Sequence, residues 1–312
     1  MKRLNSVLTL LGIVLLLPGL RADEPHSHAP LVVPSRPVIA RVPVKVIRPV
    51  DVVVNSLDET LIADETGQCL LRVDVNGTAS VLADQLPGVS RIADSPQLGT
   101  YLLQKNARSG RVYLFTDGGQ QMDVAYLPFQ PTALAVDTEG KLYTADNLKR
   151  RLVSIDDEGK QSVYARLPET VRDLAIDEIG SVVVLFESGR VGTVTSENEL
   201  SESGFVSPNA TRLALHPTGF VVALAPDSLG KSYLLKATSD RQQIDRFAAV
   251  PRGTTAFAFD ALGNLTLANA DLRAITQVNS HFEVQCPHCG KPMSMILSAD
   301  APAVKQPKRR SF

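Results

Sequence analysis

From about residue 47 the chain is written in short runs in which apolar and polar positions alternate, with polar turns between them, and no stretch carries a sustained 3.6-residue apolar period. This pattern predicts strands. It also repeats. The stretch Thr132 to Asn147 (TALAVDTEGKLYTADN) recurs at Arg172 to Glu187, Thr211 to Pro226 and Thr255 to Ala270, with weaker copies at Asp51 to Glu65 and Arg91 to Lys105. Taking the residue that follows the first strand of each copy as an anchor gives Asn55, Ser95, Asp137, Asp177, His216 and Asp260, spaced 39 to 44 residues apart. Each unit predicts four strands: one ending at the anchor, a second such as Lys141 to Ala145, a third such as Arg151 to Ile155 and a fourth such as Ser162 to Leu167.

Six four-stranded units at this spacing predict an all-β, six-bladed β-propeller over residues 47–285. The residues before the anchors indicate how blades would pack. One and three positions before the anchor stand large apolar residues, as at Val136 and Leu134 or Phe259 and Phe257, and the residue between them is alanine in five copies, with Val53 the exception. Bulk on one face and a methyl on the other would let inner strands interlock around an axis. Asp94 interrupts the apolar column, and an irregular blade two is expected there in preference to a carboxylate pointing inward, because an unpaired buried charge is costly.

Leu134 through Asp146 resembles the NHL repeat, an "apolar-Ala-apolar-Asp-x-x-Gly" unit, over about 240 residues of chain. The resemblance implies a propeller that serves as a binding or scaffolding surface. A related six-bladed family, the gluconolactonase-type hydrolases, implies instead a divalent metal at the channel mouth, held five positions before the anchors. That position here reads Val50, Ser90, Thr132, Arg172, Thr211 and Thr255, without a carboxylate, so metal-dependent, lactonase-like hydrolysis stands as the alternative with ligands from elsewhere.

One position nearer the anchor the ring reads Asp51, Arg91, Ala133, Asp173, Arg212, Ala256, the order Asp-Arg-Ala twice. This predicts either ion pairs from each Asp to the Arg of the following blade or a polar mouth in which Arg91, Arg172 and Arg212 hold an anionic ligand. Asp64, Gln104, Asp146 and Asn269, ending the second strands, are expected on the same face. The candidate ligand-binding set is therefore Asp51, Asp64, Arg91, Asp146, Arg172, Asp173 and Arg212, and no catalytic motif accompanies it.

Composition adds the compartment. Lys2 and Arg3 precede the apolar run Val7 to Leu17, which is too short to span a bilayer but suits a secretory signal over residues 1–22. A Pro-rich arm, residues 23–46, follows, and its segment Val38 to Ile47 is available to complete the last blade. The mature chain is expected to be secreted or periplasmic, with no integral membrane segment unless the signal is retained as an anchor. A net charge of −1 offers no case for nucleic acid. Residues 286–312 hold Cys286-Pro287-His288-Cys289 and a basic tail. The cysteines read as a local disulfide, with a zinc knuckle, completed from His281, His288, Cys69 or a second molecule, as the competing reading; otherwise no cofactor is expected. The function expected is a non-enzymatic binding or scaffolding module, its partner an unknown protein or a small anionic ligand.

Overall fold

The computed structural model describes residues 31–34, 38–240, 243, 245–279, 282–285 and 292–293. Among them every regular element is a strand, and there is no helix. The signal segment, the histidines of the arm, and Cys286 and Cys289 lie outside the described residues. A small unit consists of a three-stranded sheet of Leu31–Pro34, Phe282–Gln285 and Pro292–Met293. The larger unit, 34–281, is a six-bladed propeller.

Five blades are antiparallel meanders of four consecutive strands. Their inner strands are Pro49–Val54, Val89–Ser95, Pro131–Val136, Val171–Ile176 and Arg212–Leu215. Blade six takes three strands, Thr254–Phe259, Leu265–Asn269 and Ala274–Asn279, from the end of the chain and its outer strand, Val38–Arg41, from the arm. Val38 pairs with Asn279 and Arg41 with Thr276, so the ring is closed by joining its two ends within one sheet.

The anchors explain why the repeat is visible. In the inner hairpins of blades one, three, four and six the anchor side chain accepts two backbone N–H groups: Asp137 Oδ1 takes those of Glu139 (3.0 Å) and Lys141 (2.9 Å). Asp177 does the same for Ile179 and Ser181, Asp260 for Leu262 and Asn264, and Asn55 for Leu57 and Glu59. In blades three, four and six the chain then turns through a glycine, with φ of 87° at Gly140 and 82° at Gly180, a region glycine enters without strain, and in blade one Asp58 takes that place with φ of 58°. Blade two departs from this. Its glycine comes one residue later, at Gly99 with φ of 115°. The irregularity is confined to the turn, because Asp94 itself stays in register opposite Thr100 and lines the channel. The expectation of an irregular strand at Asp94 is thereby corrected.

Packing between blades follows the large-against-small pattern. Ala135 of blade three packs in one cluster with Leu174 and Ile176 of blade four. Ala93 meets Leu134 and Val136, Ala175 meets Leu213 and Leu215, and Ala214 meets Phe257 and Phe259. Ala258 meets Val52 and Val54 across the closure. At the remaining interface Val53 stands in the small position and packs with Ile92. That is also the interface whose outermost large position is the smaller Asp94. Space around the axis is thus filled by methyl groups of fixed size. Replacing Ala135 by Leu should overpack the interface of blades three and four and cost roughly 1–3 kcal/mol. A lower urea midpoint with an unchanged slope is the expected reading.

Candidate functional site

The inner strands surround a central channel of about 350 Å3 whose two ends differ in chemistry. At the end where these strands begin lie Asp51, Arg91, Asp173 and Arg212, all buried or nearly so. Each aspartate reaches the next blade through a backbone amide and not through its arginine. Asp51 Oδ2 accepts from Ile92 N (3.0 Å) and Asp173 Oδ2 from Leu213 N (2.9 Å). The ion pairs skip a blade: Arg91 Nε lies 3.6 Å from Asp173 Oδ1, and Arg212 Nε lies 4.0 Å from Asp51 Oδ1. The expected pairing between adjacent blades is therefore corrected. The reason is the third member of each triplet. Ala133 and Ala256 carry only a methyl group, which leaves space for an arginine to reach across blades three and six.

Each guanidinium is also tethered to a carbonyl, Arg91 Nη1 to Ser90 O (2.9 Å) and Arg212 Nη2 to Val50 O (2.6 Å), while both Nε atoms lack a hydrogen-bond partner. Burial pushes the Asp51 carboxyl above its ordinary range, against the pull of Arg212 and Arg91. Burial, then repulsion from Arg91, lowers Arg212. Lys105, at the end of the second strand of blade two, is lowered by burial and then by the same two arginines, with Glu65 acting against them.

Beside the channel, between blades five, six and one, a second cavity of about 310 Å3 is lined by Arg48, Arg212, Thr211, Ser232, Thr254 and Thr255, together with Val50 and Pro226. No carboxylate lines it, though Arg48 Nη1 pairs with Glu65 Oε2 at 2.9 Å just outside. Arg212 therefore faces both spaces.

The other sequence candidates are placed elsewhere. Asp64 is buried and accepts from the backbone amides of Ile47 (2.5 Å), Arg48 (2.9 Å) and Gly67 (2.8 Å). Asp146 accepts from Lys149 N (3.2 Å) and Arg151 Nε (3.0 Å), and Asn269 bonds Arg252, Thr254 and Leu272. These side chains close their own hairpins. Arg172 is outside the channel, paired with Glu187 at 3.0 Å. A β-bulge falls between Val171 and Asp173, as it does at the same place in blades one, two and six, and turns the intervening side chain away from the axis. Cys69 is a free, half-buried thiol packed beside the cluster between blades one and six, raised by burial and then by Asp64. Sequence reasoning missed Lys105, and also Arg48 and Ser232, which carry no motif and are brought together only by ring closure.

The metal position of the hydrolases can be tested on its hydroxyls. Ser90 Oγ donates to Leu103 O (3.0 Å), Thr211 Oγ1 to Leu224 O (3.3 Å) and Thr255 Oγ1 to Pro49 O (2.7 Å). With no carboxylate among them, these residues do not fit a divalent cation, which takes several charged oxygen ligands.

At the opposite end of the channel, Asp94 is half-buried and accepts a hydrogen bond from Thr100 Oγ1 (3.0 Å). Burial, and then the charges of Asp117 and Glu59 against the pull of Thr100, push its carboxyl up to about 6.

No family model matches the chain. No curated protein sequence matches it either. Solved structures match in fold. A putative gluconolactonase superposes with a TM-score of 0.63 at 14% identity, over 80% of this chain and 94% of that one. A streptogramin B lyase gives 0.59 at 10% identity, over 78% of this chain and 98% of that one. The WD40 repeats of RRP9 give 0.58 at 11% identity, over 80% of this chain and all of theirs. Proteins named for a lactonase, a lyase and a repeat module thus share the fold with this chain, and the likeness is one of fold alone.

Two measurements test the site. Arg91→Met leaves Asp173 buried without its cation and should cost about 3 kcal/mol. The double variant R91M/D173N keeps an acceptor for Leu213 N and should recover most of that loss, so the two changes are not additive. For Asp94 the sign follows from its titration at about 6 against an ordinary value of 3.8. Ionising it costs stability as pH rises through 6. Asp94→Asn should therefore stabilise the protein at pH 8 by roughly 1 kcal/mol, after discounting for its partial exposure, and the gain should vanish by pH 4.

Proposed function

We propose that the protein is an exported, non-enzymatic binding module that takes a small anionic ligand at the arginine end of its ring. The observation that carries this reading is the cavity between blades five, six and one, lined by two arginines and four hydroxyl-bearing residues; Arg48 pairs with Glu65 at 2.9 Å outside the lining, and an anion would compete with that carboxylate for the guanidinium. Arg212 brings a guanidinium whose Nε has no hydrogen-bond partner, and a guanidinium fork matches a carboxylate or a phosphate. The signal-like segment at residues 1–22 supports export.

The fold alone does not separate this reading from a lactonase-like hydrolase. Binding does. Citrate and inorganic phosphate, each titrated against the purified protein, should raise its melting temperature, because a ligand of the folded state stabilises by about 2.7 kcal/mol at a hundredfold excess over Kd. Arg48→Gln should weaken the effect several-fold. Calcium, zinc and manganese should leave the melting temperature unchanged. A metal shift that disappears on replacing Asp51 or Asp173 would favour the hydrolase over the binding module.

A further inference from the structure

The anchor end of the channel carries a different set of groups. The residue just before the anchor contributes one side chain from each blade to the channel wall: Val54, Asp94, Val136, Ile176, Leu215 and Phe259, all half-buried. Five are hydrocarbon and the sixth is a carboxylate. Among the described residues Asp94 has no ion-pair partner, and its one hydrogen bond is the Thr100 hydroxyl at 3.0 Å. Phe259 joins an aromatic group at the seam of blades five and six. His216 stacks on Phe220 at 4.3 Å, and Phe247 meets Phe259 edge to face at 5.7 Å. Phe247 is 39% exposed, so this group opens to solvent. The six inner hairpins on this side, anchors included, hold seven acidic residues against Lys141, and Lys236 lies over the Phe220 ring at 4.4 Å.

We propose that this mouth is a second binding site, specific for a small organic ammonium ion with an apolar body, whose charge pairs with the Asp94 carboxylate while its body packs on Phe259 and the aliphatic rim. Two features exclude other classes. A metal ion would find one carboxylate and one hydroxyl, too few oxygens to replace its water. A neutral apolar molecule would leave a half-buried charge unpaired and stripped of water. An ammonium ion answers both the charge and the hydrocarbon ring, the acidic hairpins raise its local concentration, and an aromatic face adds attraction for a cation. Arg212 lines both the channel and the cavity of Arg48 and Ser232, but none of the six residues of this mouth lines that cavity, so the two readings stand or fall separately.

Isothermal titration with 2-phenylethylamine, an ammonium ion throughout the range used, tests the proposal, with 2-phenylethanol as its neutral match. At pH 7.5 the amine should bind and the alcohol should bind at least tenfold more weakly. Asp94→Asn, which keeps an acceptor for Thr100, should weaken the amine at least tenfold, and Phe259→Leu several-fold. Lowering the pH to 5 should weaken the wild-type complex on the order of tenfold, since Asp94 titrates at about 6 with Thr100, Glu59 and Asp117 as the groups acting on it. His216, which meets Phe259 edge to face at 5.0 Å and is held below its ordinary value by burial and Lys236, gains charge in the same range, so the series is repeated with His216→Gln: the pH dependence should persist there, and its loss would overturn the proposal even should Asp94→Asn fail to fold. Equal binding of amine and alcohol, binding that survives Asp94→Asn, binding independent of pH between 5 and 7.5, or no binding of the amine at millimolar concentration would each overturn the proposal.

Discussion

Six strands cannot approach a common axis unless each interface has a small side. Here that side is an alanine two residues before the anchor, and the bulk comes from the two flanking positions of the next blade. Everything else in the ring is placed by this interlock. It fixes the distance of the inner strands from the axis, and hence the channel width. It also sets which side chains can meet across the channel. Where the small partner is Val53, the neighbouring blade offers Asp94 in place of a larger hydrocarbon, so a single change in the packing column is also the origin of the one carboxylate among the six wall residues of that mouth.

The other mouth shows what a repeat of three does within a ring of six. Asp-Arg-Ala occurs twice, which gives the site an approximate two-fold axis along the channel. Both arginines therefore lie over an alanine blade, and each carboxylate is held by a neighbour's backbone and by a distant cation together. Charges balance within this quartet, and beside it Arg48 is paired with Glu65. The channel consequently runs from an end of paired ions to one with a single unpaired carboxylate, with hydrocarbon between them.

The parts of the structure legible in the sequence are those fixed by local chemistry. An aspartate that accepts two amides and a glycine at positive φ occupy set places in a hairpin, so Asp137 and Gly140 recur as Asp177 and Gly180 and mark the period without knowledge of the fold. The alternation of bulk and methyl is equally local. What could not be read is direction around the ring. Asp51 and Arg91 occupy equivalent positions on adjacent blades, yet their partners are Arg212 and Asp173, because contact across an axis depends on the alanines between. Arg172 sits one residue from Asp173 but outside the channel, since a bulge intervenes. Arg48 and Ser232 are separated by most of the chain and meet only where the last blades return to the first.

That return has a consequence in time. The strand Val38–Arg41 leaves the ribosome before any blade, and its pairing partner Ala274–Asn279 leaves it after all of them. At a synthesis rate of about 5–20 residues per second the first strand waits on the order of ten seconds or more for its place. Until then Leu265–Asn269 is an open edge, and Val42 and Val46 have no Ile275 to pack against. The ring is therefore a fold whose earliest segment is its final piece, so that a chain interrupted anywhere before residue 274 exposes an unpaired edge and an apolar arm at once, a combination readily recognised by proteases and chaperones.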